Sequence, residues 1–598
     1  MHPVKNFYTW LTSFRQILEI LSRRDRLRVY SLPFIYLLLG LLDLVGIIFI
    51  GIFGTLSLSV ADSPNSGASS FLFNRFDGDD SSFYRDNFRV LIILGIVILL
   101  FKTFISLILT KKLFHFLGQR AATISSQLAE KYFARDLLFV NKRTKQEAYY
   151  AISNGVDSLT MGVLGNSSMI LSDTTLLMIL FIGLLIINPI VSTFTLILFG
   201  VLGISLYTKF GRKARTLGQE STQLGIQGSS QIYALYDNYR EILVSKKRTF
   251  FTYKYAKSRK KLSSVLAQLY SIPVLSKYSI ESGIILGIIS ILIYQLWFSD
   301  LENAVSTLVI FLAAGSRIAP AVIRILQCAT SLNIHLGMAE PSLELLDELS
   351  STEVENISKS KTLDGAPKTF EPRLSLNNIF FQYPGRSEYC LRNISVEISC
   401  GEKIVIVGPS GSGKTTLADI ILGVLEPTSG EVKISGMSPQ KAFTYFPGMI
   451  SYVPQDVSIF PGTLAENIML SELDNSNIPN RLKEAIQASQ LESFVHELPS
   501  NLETMYNQDS QGLSGGQKQR IGIARALYSR PQFIIFDEST SSLDKVTSDL
   551  INETINDLGR SVTVLVITHR ISAALQFDRL FEMKDGNLVS LEMPPSIS

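Results

Sequence analysis

The chain is 598 residues long, 46% apolar and 18% charged, with a net charge of +3. Its mean hydropathy of +0.25 excludes an ordinary soluble protein, its small net charge makes no case for nucleic acid, and its length suggests about four domains. Three cysteines, Cys328, Cys390 and Cys400, match no metal-ligand spacing and no disulfide framework, and read as buried or incidental thiols in a reducing cytosol.

The first 30 residues are amphipathic and basic without a cleavable signal pattern, which predicts an elbow helix on the lipid surface. Apolar segments long enough for a bilayer core of about 30 Å follow. They lie near 31–59, 89–110, 163–187, 190–208, 274–297 and 304–328. Pro189 breaks the third from the fourth in "INPIV". Lys and Arg number six in 1–30, two in 60–88, eight in 111–162, none at 188–189, thirteen in 209–273 and none in "FSDLEN". Basic gaps alternate with poor ones, so the expectation is a multi-pass protein of the cytoplasmic (inner) membrane with both termini cytoplasmic. Segments 111–162 and 209–273 read as spans extended into the cytosol, doubling back near "RDLLFVNKRT" and "YDNYREIL". Loop 60–88, with Phe71, Phe73, Phe76 and Phe83, is either disordered or a short amphipathic helix on the outer leaflet.

Beyond a polar linker at 345–371 the pattern becomes that of a soluble α/β domain. The expected organisation is an elbow (1–30), a six-span helical membrane domain (31–344), the linker, an α/β phosphate-loop domain (372–590) and a tail (591–598). "GPSGSGKTT" follows an apolar strand and opens a helix. In that context Gly408, Ser410, Gly411 and Gly413 let backbone N–H groups wrap phosphates, Lys414 reaches the terminal ones, and Thr415, with Thr416 beside it, binds Mg²⁺. "FIIFDE" is a buried strand delivering Asp537 for the metal and Glu538 to polarise a water at its carboxyl end.

"LSGGQ", Leu513 to Gln517, resembles the signature of ATP-binding cassette (ABC) proteins. "SYVPQD" resembles their Q-loop, with Gln455; "SSLD" their D-loop, with Asp544; "VITHR" their switch-histidine strand, with His569; "FQYPG" places Tyr383 where they stack adenine. The resemblance implies ATP and Mg²⁺ as cofactors, Glu538, Gln455 and His569 as catalytic residues, and Thr415, Gln455 and Asp537 as metal ligands. It also implies that Ser514, Gly515, Gly516 and Gln517 complete the ATP site of a second copy. One cassette behind six spans resembles the exporter arrangement, so the chain is expected to work as a homodimer.

Lys102, Lys277, Arg317 and Arg324 lie within the expected spans. A central Arg costs about 2.5–3.5 kcal/mol on insertion scales, so such a residue faces a cavity or a partner. At 1.5 Å per residue, Lys102 and Arg317 lie about 20 Å from the outer ends of their spans. Arg317 and Arg324 are two helical turns apart, and Glu281 is the nearby acid. These four cations are the candidate substrate residues, gripping the phosphate of a lipid-linked anionic substrate. The alternative is that Lys277 pairs with Glu281, the others snorkel, and Asp43 and Asp173 absorb what remains. "SKYSIESG" with "GSRIAPAVIR" is similar to the lipid-linked oligosaccharide flippases of bacterial N-glycosylation, although Lys stands at 102 and 277 where those have Arg. The expected function is ATP-driven flipping of a polyprenyl-pyrophosphate-linked oligosaccharide; the alternatives are a multidrug or general lipid exporter and an ATP-gated channel.

Overall fold

The structure, a computed structural model, describes residues 23–27, 88–187, 189–298, 301–351, 369–471, 480–507, 512–538, 543–569 and 575–592. Most of the expected elbow, the first span with Asp43, the outer loop, most of the linker and most of the tail lie outside the described residues. The chain divides into two units, Met1–Arg135 with Val140–Val354 and Asp136–Phe139 with Glu355–Ser598.

The first unit is helical. Helix α1 (Phe88–Phe133) is followed by α2 (Leu137–Asn141), of which Leu137–Phe139 belong to the second unit, and by α3 (Lys145–Ile152), so the first turn falls in "RDLLFVNKRT". A capping box starts α3, with Thr144 accepting from the Glu147 N–H and Glu147 accepting from the Thr144 N–H. A π-helix at Ser158–Leu164 leads into α4 (Gly165–Ile187), and α5 (Pro189–Asp237) opens on the proline that ends its predecessor. The second turn carries α6 (Tyr239–Val244) before α7 (Arg248–Phe298), α8 (Leu301–Met338) and α9 (Glu340–Ser351). At 1.5 Å per residue, α5 and α7 are each longer than about 70 Å, far more than a bilayer needs. Their extra length follows from apolar sequence giving way to charged sequence within one uninterrupted helix.

Among the described residues, the stretches Lys145–Ile182, Ser192–Asp237 and Arg248–Ser290 are long and apolar enough to cross a membrane. The expected second and sixth spans are helical in α1 and α8, with part of their side chains outside the described residues. Pro273 and Pro320 sit inside α7 and α8, as membrane helices tolerate when neighbours satisfy the freed carbonyls. One apolar cluster gathers Leu180, Phe199, Ile280, Ile318, Val322 and Leu326; a second gathers Ala214, Leu217, Leu262, Leu269 and Ile272. Small residues bring α5 and α8 together: a Cβ on Gly218 would lie 2.4 Å from the Ile334 carbonyl oxygen, and one on Gly337 2.3 Å from that of Arg215.

The second unit holds two main sheets. An antiparallel sheet orders β1 (Leu374–Phe381), β2 (Leu391–Ile398) and β4 (Ser429–Ile434) as β2-β1-β4. A six-stranded sheet orders β3 (Lys403–Val407), β5 (Ile450–Val453), β8 (Phe533–Asp537), β9 (Thr563–Thr568), β10 (Arg579–Lys584) and β11 (Asn587–Leu591) as β11-β10-β3-β9-β8-β5. Strands β6 (Gly462–Thr463) and β7 (Met505–Tyr506) form a short ribbon. The larger sheet is parallel except at β11, and β8 is buried at all five positions, as a strand covered on both faces must be.

Candidate ATP site

Strand register builds the site. Val407 pairs with Thr568 across β3 and β9, and Asp537 with Ile567 across β8 and β9. The phosphate loop, the Asp537–Glu538 pair and His569 therefore leave the sheet at one carboxyl edge, where open α/β sheets bind ligands.

The loop enters α10 (Lys414–Ile421) through Gly411 and Gly413, whose φ values are +83° and +107°. At Gly413 a Cβ would lie 2.8 Å from Leu391 Cδ2, so both conformation and space exclude a side chain. The Lys414 ammonium is buried and donates to the carbonyl oxygens of Gly408 at 2.9 Å and Pro409 at 3.0 Å. It also stands 3.7 Å from Glu538 Oε1.

Asp537 is buried at the end of β8, and Tyr452 donates its hydroxyl to Oδ2 at 3.3 Å. Burial raises the Asp537 carboxyl pKa, opposed by the hydroxyls of Tyr452 and Thr415 and by Lys414. Its Oδ1 is buried with no hydrogen-bond partner among the described residues. Such an oxygen fits a divalent cation, whose charge would hold the carboxylate ionised. Asp419 on α10 is pushed up to about 6 by burial and then by the Asp537 charge.

Glu538 adopts φ +47°, and its N–H donates to the Ile567 carbonyl at 2.8 Å. Gln455 Nε2 donates to its Oε2 at 2.9 Å, and His569 Nδ1 lies 3.7 Å from the same oxygen. Three elements of distant sequence thus converge on one carboxylate. The Tyr383 hydroxyl lies 3.1 Å from Thr416 Oγ1, and its ring meets Phe381 edge-on at 4.9 Å, standing beside the helix that follows the loop. Ser410 lines the same pocket as Gly408, Glu538 and His569.

The signature residues serve a helix end. Ser514 caps α11 (Gly515–Tyr528): the Gln517 N–H donates to its Oγ at 3.2 Å, and its own N–H donates to Gln517 Oε1 at 2.8 Å. Gly515 and Gly516 are the first residues of that helix. Asp544 caps α12 (Lys545–Asp557), accepting from the Thr547 N–H at 3.1 Å and hydroxyl at 2.7 Å, which lowers its pKa. The S-x-x-Q spacing that signals a capping box is present in the sequence, whereas the roles of Tyr452 and Asp419 beside Asp537 have no such signal.

In the membrane unit, Arg324 is held by Asp173 on α4, with Nη2 donating to Oδ1 at 2.8 Å. Lys277 lies 3.7 Å from Glu281 one turn along α7. Among the described residues, Lys277 and Arg324 thus each face an acid, Glu281 and Asp173, as the alternative to a phosphate grip expected. Lys102 is half-buried on α1; Arg317 lies on α8, with its side chain outside the described residues.

The family model described as ABC transporter matches residues 391–541. These residues are an ABC transporter domain. The chain is 34% identical over 283 residues to the ATP-dependent lipid A-core flippase of Chromobacterium violaceum, covering 47% of this chain and 46% of the relative. The leukotoxin export protein LtxB of Aggregatibacter actinomycetemcomitans is 32% identical over 340 residues, 55% of this chain and 46% of its own. A probable multidrug resistance transporter of Bacillus subtilis, YheI, is 36% identical over 215 residues, 36% of each chain. The chain thus spans less than half the length of each of these relatives. In fold it is similar to a bacterial Atm1-family ABC exporter solved with ATP bound, at a TM-score of 0.75 and 18% identity over 95% of both chains. Ahead of the cassette stands the helical membrane domain of that exporter fold.

Proposed function

We propose that this chain is one half of an ATP-driven ABC exporter of the cytoplasmic membrane, working as a homodimer with its termini in the cytosol. The observation that carries the reading is the convergence of Gln455, Lys414 and His569 on Glu538 beside the phosphate loop. Backbone N–H groups of the loop and Lys414 bind the phosphates of ATP, and Tyr383 stacks the adenine. Thr415, Gln455 and Asp537 would hold Mg²⁺, which would offset phosphate charge when bound. Glu538 accepts the proton of the attacking water while Gln455 and His569 orient its carboxylate. Ser514, Gly515, Gly516 and Gln517 reach the ATP held by the second copy, with Asp544 alongside.

The cargo in this reading is amphipathic and anionic, first a polyprenyl-pyrophosphate-linked oligosaccharide. Lys102, Lys277, Arg317 and Arg324 support it, as do relatives named lipid A-core flippases. A second reading, a multidrug or general lipid exporter, is favoured by the pairing of Arg324 with Asp173 and of Lys277 with Glu281, which reduces the cationic surplus. An intact Glu538 opposes an ATP-gated channel. Titrating the ATPase in nanodiscs with a polyprenyl pyrophosphate, a polyprenol and a cationic drug separates these readings. Stimulation by the pyrophosphate lipid alone supports the first, and stimulation by drug or neutral lipid assigns the protein to the second.

A further inference from the structure

We infer that Asp173 is a specificity-determining residue of the translocation path: it is the resident counter-ion of Arg324, and a substrate's anionic group competes with it for the guanidinium. The inference rests on the anionic-substrate reading above. Arg324 Nε donates to Asp173 Oδ1 at 3.2 Å and Oδ2 at 3.1 Å, and Nη2 donates to Oδ1 at 2.8 Å. This fork grips the carboxylate across two helices, α4 and α8, whose apolar side chains Leu180, Ile318, Val322 and Leu326 pack together. Its two ends are unequally placed, for the Asp173 side chain is 12% exposed and that of Arg324 50%.

That inequality decides which end can change partners. The carboxylate sits on a short stem inside the packed interface and cannot follow a departing guanidinium. The arginine has a long flexible stem and is half outside already. A buried carboxylate without a partner is costly, so Asp173 keeps the guanidinium until a better anion arrives. A phosphate or pyrophosphate presents the same geometry to the fork with more charge. Asp173 therefore sets a threshold that weak anions do not pass, and it recaptures the guanidinium when the substrate leaves. The Lys277–Glu281 pair imposes no such threshold. It is a single 3.7 Å contact along one helix with both side chains about half exposed.

The test uses the full chain in lipid nanodiscs with undecaprenyl monophosphate and undecaprenyl pyrophosphate as probes and undecaprenol as the neutral control. The readout is the concentration giving half-maximal ATPase stimulation over each variant's own basal rate. Asp173→Asn keeps the shape and removes the competing charge. It lowers that concentration about tenfold for both anionic lipids, the scale of one charge-assisted hydrogen bond, and narrows the difference between them. Asp173→Glu keeps the charge and the wild-type discrimination. Equal values in wild type and Asp173→Asn, or the same shift in Asp173→Glu, overturn the inference while leaving the anionic-substrate reading intact. A wild type stimulated by undecaprenol, or by neither phosphate, contradicts that reading and the inference with it. Should Asp173→Asn not fold, Asp173→Asn with Arg324→Gln leaves no buried charge unmatched. The inference expects this neutral pair to lose discrimination between mono- and pyrophosphate, and retained discrimination overturns it.

Discussion

Gln455 donates its side-chain N–H to the Glu538 carboxylate at 2.9 Å, on the oxygen that also faces His569 at 3.7 Å. The Glu538 backbone is left-handed at φ +47°, a conformation a non-glycine residue keeps only where its surroundings impose it. Here the imposition is the bond from its N–H to the Ile567 carbonyl, which ties the end of β8 to β9. The carboxylate is thus aimed by sheet register and steadied by side chains from two other strand ends.

Replacing Glu538 by Gln retains shape and removes the proton acceptor. ATP binding is expected to persist while hydrolysis falls at least about 100-fold, the scale of a lost general base. Fluorescent-nucleotide binding and phosphate release on the same preparation check both halves. Near-normal turnover would remove Glu538 from the chemistry.

If each ATP lies between the phosphate loop of one copy and the signature of the other, Lys414→Ala and Ser514→Arg each inactivate a homodimer. Coexpressed with different tags and purified through both, they form mixed dimers with one intact composite site. One bound ATP per mixed dimer is the expected stoichiometry, and none would place the signature and loop of a single site in the same chain.

The cassette was legible because its chemistry is written in short contiguous motifs. Gly408 to Thr415 needs a strand before it and a helix after it, and both are there. Asp537 and Glu538 end an unbroken apolar run, which reads directly as a buried strand. The long helices of the membrane half were legible too, because an apolar run is recognised whichever way its helix is rotated. What could not be read is which face each cation presents. Asp173 and Arg324 are 151 residues apart, and no periodicity on α4 alone says that it turns Asp173 toward α8. The left-handed Glu538 escaped for a related reason, since the ladder bond that imposes it comes from β9.

Gly413→Ala would force a Cβ into contact with Leu391 at a φ that L residues avoid. A loss of about 1–3 kcal/mol in cassette stability is expected, together with weaker ATP binding, because the loop must shift to relieve the clash. Thermal unfolding with and without ATP measures both effects. An unchanged midpoint would show that the loop has slack the packing does not suggest.

Asp419 gives a pH dependence with a definite sign. Its pKa is raised from 3.8 to about 6 by burial and the neighbouring Asp537 charge. Between those values the folded state holds a proton that the unfolded state has lost, so the stabilisation is full below 3.8 and disappears as pH rises through about 6. Asp419→Asn is expected to be more thermally stable than wild type at pH 7, with the difference shrinking toward pH 4. A constant difference across that window would mean that Asp419 does not titrate as its surroundings require.

ATP-driven movement of an anionic lipid by a dimer of this chain can be watched as flipping in proteoliposomes. The cargo is a fluorescent undecaprenyl-pyrophosphate disaccharide, and the readout is its loss from the leaflet accessible to a membrane-impermeant quencher. Translocation is expected only with hydrolysable ATP, to vanish in Glu538→Gln, and to fall about a hundredfold when Arg317 and Arg324 are both replaced by Ala, because two charge-assisted grips are lost. Translocation at the same rate without ATP, or none in a preparation that hydrolyses ATP and is stimulated by that lipid, would show that the chain does not move this lipid by ATP hydrolysis.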